Sequence, residues 1–280
     1  MGGEGFQALV WLEAPAATRE SLLRAHTAEL VSAILGPLND RAQREGRAVI
    51  DPDTAMSPGS AEAALRAAGA TCLAVEEVAA GRVGNAFCAV RPPGHHAERD
   101  RAMGFCLFDN VAVGALHARA MGFERIAVVD FDVHHGNGTQ DIFWSDPAAL
   151  YISSHQMPLY PGSGARSERG ASGANILNLP LPPGAGGREL RAAFETQGLP
   201  ALEDFRPDFL FISAGFDAHE HDPLANLAFT ETDFAWVTRA LCEVAARACG
   251  GRVVSTLEGG YDLDALARSA SAHVQALMEF

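Results

Sequence analysis

The chain of 280 residues contains no Cys-x-x-Cys pair, and its five cysteines (Cys72, Cys88, Cys106, Cys242, Cys249) are an odd number. Both facts argue against a disulfide framework and against a Cys-based zinc site. The simplest home for such a chain is a reducing cytoplasm. No apolar run approaches about 18 residues, so a membrane-spanning helix is not expected. The opening stretch Met1–Ala17 has neither a basic n-region nor an adequate apolar core, so it does not read as a signal peptide. Basic side chains are outnumbered: Lys and Arg total 21 against 35 Asp and Glu, a formal net charge of −14. Direct binding to a phosphate backbone needs basic patches and is not expected. An acidic field steers cationic ligands, although acidity can also serve solubility alone.

Hydrophobic residues make up 48% and charged residues 20%, a globular composition. Long linkers, low-complexity stretches and internal repeats are lacking. A single domain over residues 1–280 is therefore expected. Five short runs read as strands: 85–90, 125–132, 150–154, 209–213 and 252–257. Each is nearly continuous in apolar character, the pattern of a strand buried on both faces. Helical patterns lie before, between and after them, at 60–80, 109–121, 231–249 and 263–278. Strands alternating with helices imply an α/β fold with a parallel sheet covered on both sides. The Gly/Pro clusters at 160–173 and 180–187 read as loops within the domain.

Chemistry-bearing residues follow the strands. The first run leads into Arg91-Pro-Pro-Gly-His95-His96, and the second ends in Asp130-Phe-Asp132-Val-His134-His-Gly-Asn137. The fourth leads into Ser213-Ala-Gly-Phe-Asp217, and the last into Glu258-Gly-Gly-Tyr261. Ligands of open parallel sheets bind outside the carboxyl ends of the strands, so these clusters should converge on one crevice. Asp130, Asp132 and His134 are spaced i, i+2, i+4, and an extended chain would point them to one face. Asp132 and His134, joined by Asp217, could hold one metal ion with a position left open. One nitrogen and two oxygen ligands suit a metal that activates water. His95 and His96 could act as general base and acid, their far nitrogens fixed by Asp130 and Asn137. Tyr261, after two glycines, could place a phenol against a developing oxyanion. Phe105 after Gly104, and Tyr160 before Pro161, could line an apolar channel. Ser153 and Ser154, with Asp130, could hold a monovalent cation. His26, His117 and His273 read as surface or packing residues.

Arg91–Glu98, Gly104–Cys106, Asp130–Gln140, Ser213–Asp217 and Glu258–Tyr261 together resemble the zinc-dependent histone deacetylase and acetylpolyamine amidohydrolase family. Asn137 makes the chain similar to the class II branch and its bacterial relatives. The resemblance implies a single-domain sheet of about seven to eight parallel strands flanked by helices, in the arginase/deacetylase arrangement. It implies zinc on Asp132, His134 and Asp217, and potassium near Asp130, Asp132, His134, Ser153 and Ser154. It makes His95, His96, Tyr261, Asp130 and Asn137 the catalytic set, with His96 as general base. Gly104, Phe105 and Tyr160 would bind the acyl chain. The implied substrate is an acetylated amine, either a small molecule such as an acetylpolyamine or acetyl-lysine in a protein.

Two departures stand out. The family usually opens with a strand and a His-Pro-Glu type loop, and neither is visible here. Tyr160 stands where the family often has Phe. Two alternatives remain open: a two-metal, arginase-like ureohydrolase, and a catalytically silent acyl-amine-binding protein. Oligomeric state is also open, a homo-oligomer included.

Overall fold

The computed structural model describes residues 5–280. Two short strands, β1 (Ala48–Val49) and β2 (Ala55–Met56), form an antiparallel hairpin. Six longer ones follow: β3 (Asn85–Cys88), β4 (Ile126–Asp130), β5 (Ala149–Gln156), β6 (Ile176–Leu181), β7 (Phe209–Ala214) and β8 (Val253–Leu257). These six make one sheet in the order β3-β8-β7-β4-β5-β6, and every pairing is parallel. Every residue of β4, β5 and β7 is buried. Continuous apolar runs are what strands covered on both faces require.

The five expected strands are present, with ends shifted by at most two residues. The sheet has six strands rather than the seven to eight expected. One of them, β6, fell where no strand was anticipated, and its end takes in Pro180 and Leu181 from an expected loop. Asn178 and Pro180 interrupt its apolar pattern. Pro is tolerated there because β6 is an edge strand, where one side of the ladder needs no N–H.

Among the described residues, ten α-helices accompany the sheet. The N-terminal group is α1 (Arg19–Ala25), α2 (Ala28–Ala33) and α3 (Asn39–Glu45), with a kink at Gly36-Pro37 between the last two. Thr18 accepts the Ser21 N–H and so caps α1. Next come α4 (Ser60–Ala79), α5 (Asn110–Ala120), α6 (Asn137–Phe143), α7 (Gly187–Ala193), α8 (Leu199–Phe205), α9 (Glu231–Ala248) and α10 (Leu263–Leu277). Asp109 and Asp262 cap α5 and α10, each accepting the N–H three residues on. Alternate residues of β4 enter different cores. Ile126 and Val128 pack with α4 and α5, while Ala127 and Val129 pack with α9 residues such as Val237 and Leu241. All five cysteines are buried and unpaired. No helix among the described residues is long and apolar enough to cross a membrane.

The register carries the site. Asp130 lies level with Ser153 on β5 and Ser213 on β7, and Ser213 is level with Thr256 on β8. One row of strand termini thus forms the floor from which the functional loops rise.

Candidate active site

Asp132, His134 and Asp217 come together at that edge, with one ligand atom from each within 4.8 Å of the others. His134 Nδ1 is 3.2 Å from Asp132 Oδ1 and 3.1 Å from Asp217 Oδ2. Ligand atoms around a tetrahedral zinc, with bonds near 2.0–2.1 Å, lie about 3.3 Å apart, so the spacing fits such an ion. The chain does not reach this arrangement by staying extended. β4 ends at Asp130, and two aspartate turns follow. Asp132 N–H donates to Asp130 Oδ1 at 3.0 Å, and His134 N–H donates to Asp132 Oδ1 at 2.9 Å. Aspartate competes for local backbone N–H groups, which is why the strand stops here and the side chains turn inward. The loop after β7 is stitched to this one by Val133 N–H, which donates to Asp217 Oδ1 at 2.9 Å.

Electrostatics support a cation at this point. Burial and the neighbouring Asp132 charge push the Asp217 carboxyl up to about 7. Burial alone would lower the His134 ring, but Asp132 and Asp217 raise it to about 10. Two buried carboxylates therefore hold positive charge between them, which a dication could supply. A glycine makes room for the two carboxylates. A Cβ on Gly259 would lie 2.2 Å from Asp217 Oδ2 and 2.7 Å from Asp132 Oδ2.

The paired histidines stand next to this group, their rings 4.1 Å apart. His95 Nδ1 is 3.0 Å from Asp130 Oδ2, and Tyr151 donates its hydroxyl to the same oxygen at 2.9 Å. Burial opposes charge on His95, yet Asp132 and Asp130 overcome it and raise the ring well above its ordinary value. His96 differs. Burial, then the neighbouring His95, holds it well below its ordinary value. Its Nδ1 is 2.8 Å from Asn137 Oδ1. The Asn137 amide is oriented by its own donation to Glu98 Oε1 at 2.7 Å, so its oxygen must face His96. His96 thus donates from Nδ1, and the neutral ring keeps Nε2 as a lone-pair nitrogen.

Tyr261 contributes its ring opposite Phe105, with centroids 6.0 Å apart. Burial, then the charges of Asp217 and Asp132, raise its phenol far above the ordinary value, so it remains a hydrogen-bond donor. Phe105 is 44% exposed and Tyr160 38%, and the Tyr160 ring meets His96 edge-on at 5.1 Å. Tyr160 thus stands against His96, and Phe105 against Tyr261. Gly104 and Phe105 are consecutive positive-φ residues, and a Cβ on Gly104 would lie 2.5 Å from His96 Cδ2. Ser153 is bonded to His155, and both Asp130 oxygens are engaged. Ser154 Oγ is buried without a partner.

The histone deacetylase domain model matches residues 3–277. The chain belongs to the histone deacetylase family. Among its relatives, a probable deacetylase of Methanothermobacter thermautotrophicus is 47% identical over 234 residues, covering 81% of this chain and 68% of that protein. A probable deacetylase of Archaeoglobus fulgidus is 40% identical over 258 residues, covering 91% and 70%. The crystal structure of the HDA15 HD domain superposes with a TM-score of 0.89 at 40% identity, covering 96% of this chain and 75% of that one. Other relatives are much longer. The chain spans 14% of a type-2 histone deacetylase 2 of Dictyostelium discoideum and 56% of a chloroplastic histone deacetylase 10 of Oryza sativa.

Several groups in this histone deacetylase domain escaped the reading from sequence. Tyr151 binds Asp130, Glu98 orients Asn137, and Asp222 Oδ2 accepts the Tyr261 N–H at 2.8 Å. Glu98 and Glu258 lie inside the motifs, but nothing local announces a role for either. Tyr151 and Asp222 carry no local signal at all, since their partners are distant in the chain.

Proposed function

We propose that this chain is a zinc-dependent amidohydrolase that removes an acetyl or other short acyl group from an amine. The observation that carries the reading is the Asp132–His134–Asp217 group, spaced for zinc, beside two histidines whose far nitrogens are separately fixed. Among the described residues this is the one such group of three, which leaves the two-metal alternative without a second set of ligands.

When bound, zinc would supply Lewis-acid polarisation of the amide carbonyl and of a water. The neutral His96 presents Nε2 to take the water proton as the carbonyl is attacked. His95, its Nδ1 bonded to Asp130, stands beside the developing oxyanion and would give a proton to the departing amine. Tyr261 donates its phenolic hydrogen to the carbonyl oxygen, an interaction that strengthens as negative charge grows there. The C–N bond then breaks to give a carboxylate and an amine. Gly104, Phe105 and Tyr160 would flank the acyl chain. Potassium near Asp130, Ser153 and Ser154 belongs to the same reading, with the unpartnered Ser154 hydroxyl in its favour.

For the amine, we favour one that carries further positive charge, as a polyamine or a basic peptide does. Asp53 and Asp51 lie close enough to the half-exposed Tyr160 to add to the burial that raises its phenol, and the net charge of −14 acts in the same sense. The test is acetate release from acetyl-lysine peptides and acetylpolyamines by protein loaded with zinc. Turnover is expected at about one zinc per chain. A protein holding that zinc and cleaving no small acyl-amide would overturn the proposal, and a requirement for two metals would favour the ureohydrolase alternative.

A further inference from the structure

Glu258 is 2% exposed, and its side chain is hydrogen-bonded to Gly94, His95 and Ser213 rather than to any of the three candidate ligands. Oε2 accepts two backbone N–H groups, from Gly94 at 2.6 Å and from His95 at 3.1 Å. Oε1 accepts the Ser213 hydroxyl at 3.1 Å. Its own N–H donates to Ala214 O at 3.0 Å, and the next N–H, of Gly259, donates to Asp132 Oδ2 at 2.9 Å. The residue directly beyond β8 therefore reaches across to the loop that follows β3.

That loop belongs to neither a strand nor a helix, so its backbone donors have no ladder to satisfy them. On the other side of the same residue, the His95 carbonyl accepts Gly138 N–H at 2.9 Å and Thr139 N–H at 3.2 Å. His95 is gripped through its carbonyl by the start of α6 and through its N–H by Glu258. A small shift of this backbone would carry both imidazoles away from the Asp132–His134–Asp217 group, and displacements near 1 Å can cost about a hundredfold in rate.

We propose that Glu258 is a positioning residue, one that sets the pose of His95 and His96 by accepting the Gly94 and His95 N–H groups on a single oxygen. Its kinetic consequence rests on the hydrolase reading above, but its structural consequence does not. The two are separated by pairing turnover with amide hydrogen exchange at Gly94 and His95, using zinc-loaded protein. In Glu258→Gln the amide oxygen still accepts both N–H groups, and the NH2 can donate to the Ser213 oxygen. In Glu258→Asp the carboxyl group stays, but the side chain is one methylene too short to reach.

The expected result is a kcat within about threefold of the unsubstituted protein for the Gln variant. The Asp variant should lose about a hundredfold, with KM and zinc per chain little changed. Exchange at Gly94 and His95 should be slow in the parent and in the Gln variant, and fast in the Asp variant. The proposal is overturned if the Asp variant keeps kcat within about threefold, or if the Gln variant is as impaired as the Asp variant. Free exchange of these two amides in the parent protein overturns it as well, whether or not the Asp variant folds. A parent that shows the expected exchange pattern but no turnover counts against the hydrolase reading alone.

Discussion

At the scale of single residues, the site works by exclusion as much as by placement. The nucleus of ligand atoms is tight because Gly259 leaves room for Asp217 and Asp132 to approach each other. Gly259→Ala would put a methyl group 2.2 Å from Asp217 Oδ2 with no relief from backbone, since the intruding contact is the ligand itself. The variant should fold with an unchanged circular dichroism spectrum and bind less than about one tenth of the zinc of its parent, measured by metal analysis after dialysis. Such a loss follows because one misplaced donor weakens a three-ligand site steeply. Retention of one zinc per chain would show that the two carboxylates do not act together. Most residues facing this centre were legible from their motifs, because each motif residue sits directly after an apolar run. Their supports were not. Glu258 and Gly94 are 164 positions apart, and Asp222 and Tyr261 are 39 apart.

At the scale of elements, what separates the legible strands from β6 is the composition of their cores. β4, β5 and β7 are buried throughout, and each announces itself by an apolar stretch at its start, 126–129, 149–152 and 209–212. β6 is an edge strand with Asn178 and Pro180 in it, and its place is set by pairing along β5 from Tyr151↔Ile176 to Gln156↔Leu181. It is also held at its start by Asn175, whose Nδ2 donates to Phe143 O at 2.8 Å and to Asp146 O at 3.2 Å. Asn175→Ala would remove one of the two N–H donors that each carbonyl accepts, leaving Asp146 N–H on Phe143 O and Ala149 N–H on Asp146 O. A hydrogen bond contributes about 0.5–1.5 kcal/mol net, and urea unfolding should register a loss of about 1 kcal/mol. An unchanged midpoint would mean that water replaces the amide and that the edge strand needs no such anchor. Similarly, the turn chemistry after β4 was only half legible. The i, i+2, i+4 spacing identified the residues, but the aspartate turns that bring them together are a property of the folded loop.

For the whole molecule, buried histidines away from the site tie stability to pH. His273 lies between Thr238, 2.7 Å from Nδ1, and Ser255, 2.8 Å from Nε2. The Thr238 hydroxyl already donates to Phe234 O, so His273 Nδ1 donates to it and Nε2 accepts from Ser255. Burial lowers the ring to about 3. Its folded pKa is therefore below the unfolded value near 6.5. The unfolded chain binds the extra proton between those limits, so this contribution to stability is complete above about pH 6.5 and is lost as pH falls toward 3. Buried carboxyls such as Asp109, pushed up to about 7 by burial, titrate in the opposite sense. The clean measure is a difference: the stability advantage of the parent over His273→Asn should shrink by about 2 kcal/mol between pH 7 and pH 5. A constant gap would mean that the ring is not held neutral.

Sequence alone determined the α/β class, the alternation of strands and helices, and the set of polar residues at the strand ends. These are local properties: a strand buried on both faces is apolar over most of its start, and a loop that carries chemistry is polar directly after it. Tertiary structure decided how many strands the sheet has, that His26 and His273 are locked in the interior, and which carboxylate supports which loop. Contacts between residues far apart in the chain impose no period on the sequence around them. Only the packing of β8 beside β3 brings Glu258 within reach of the two N–H groups that hold the histidine loop.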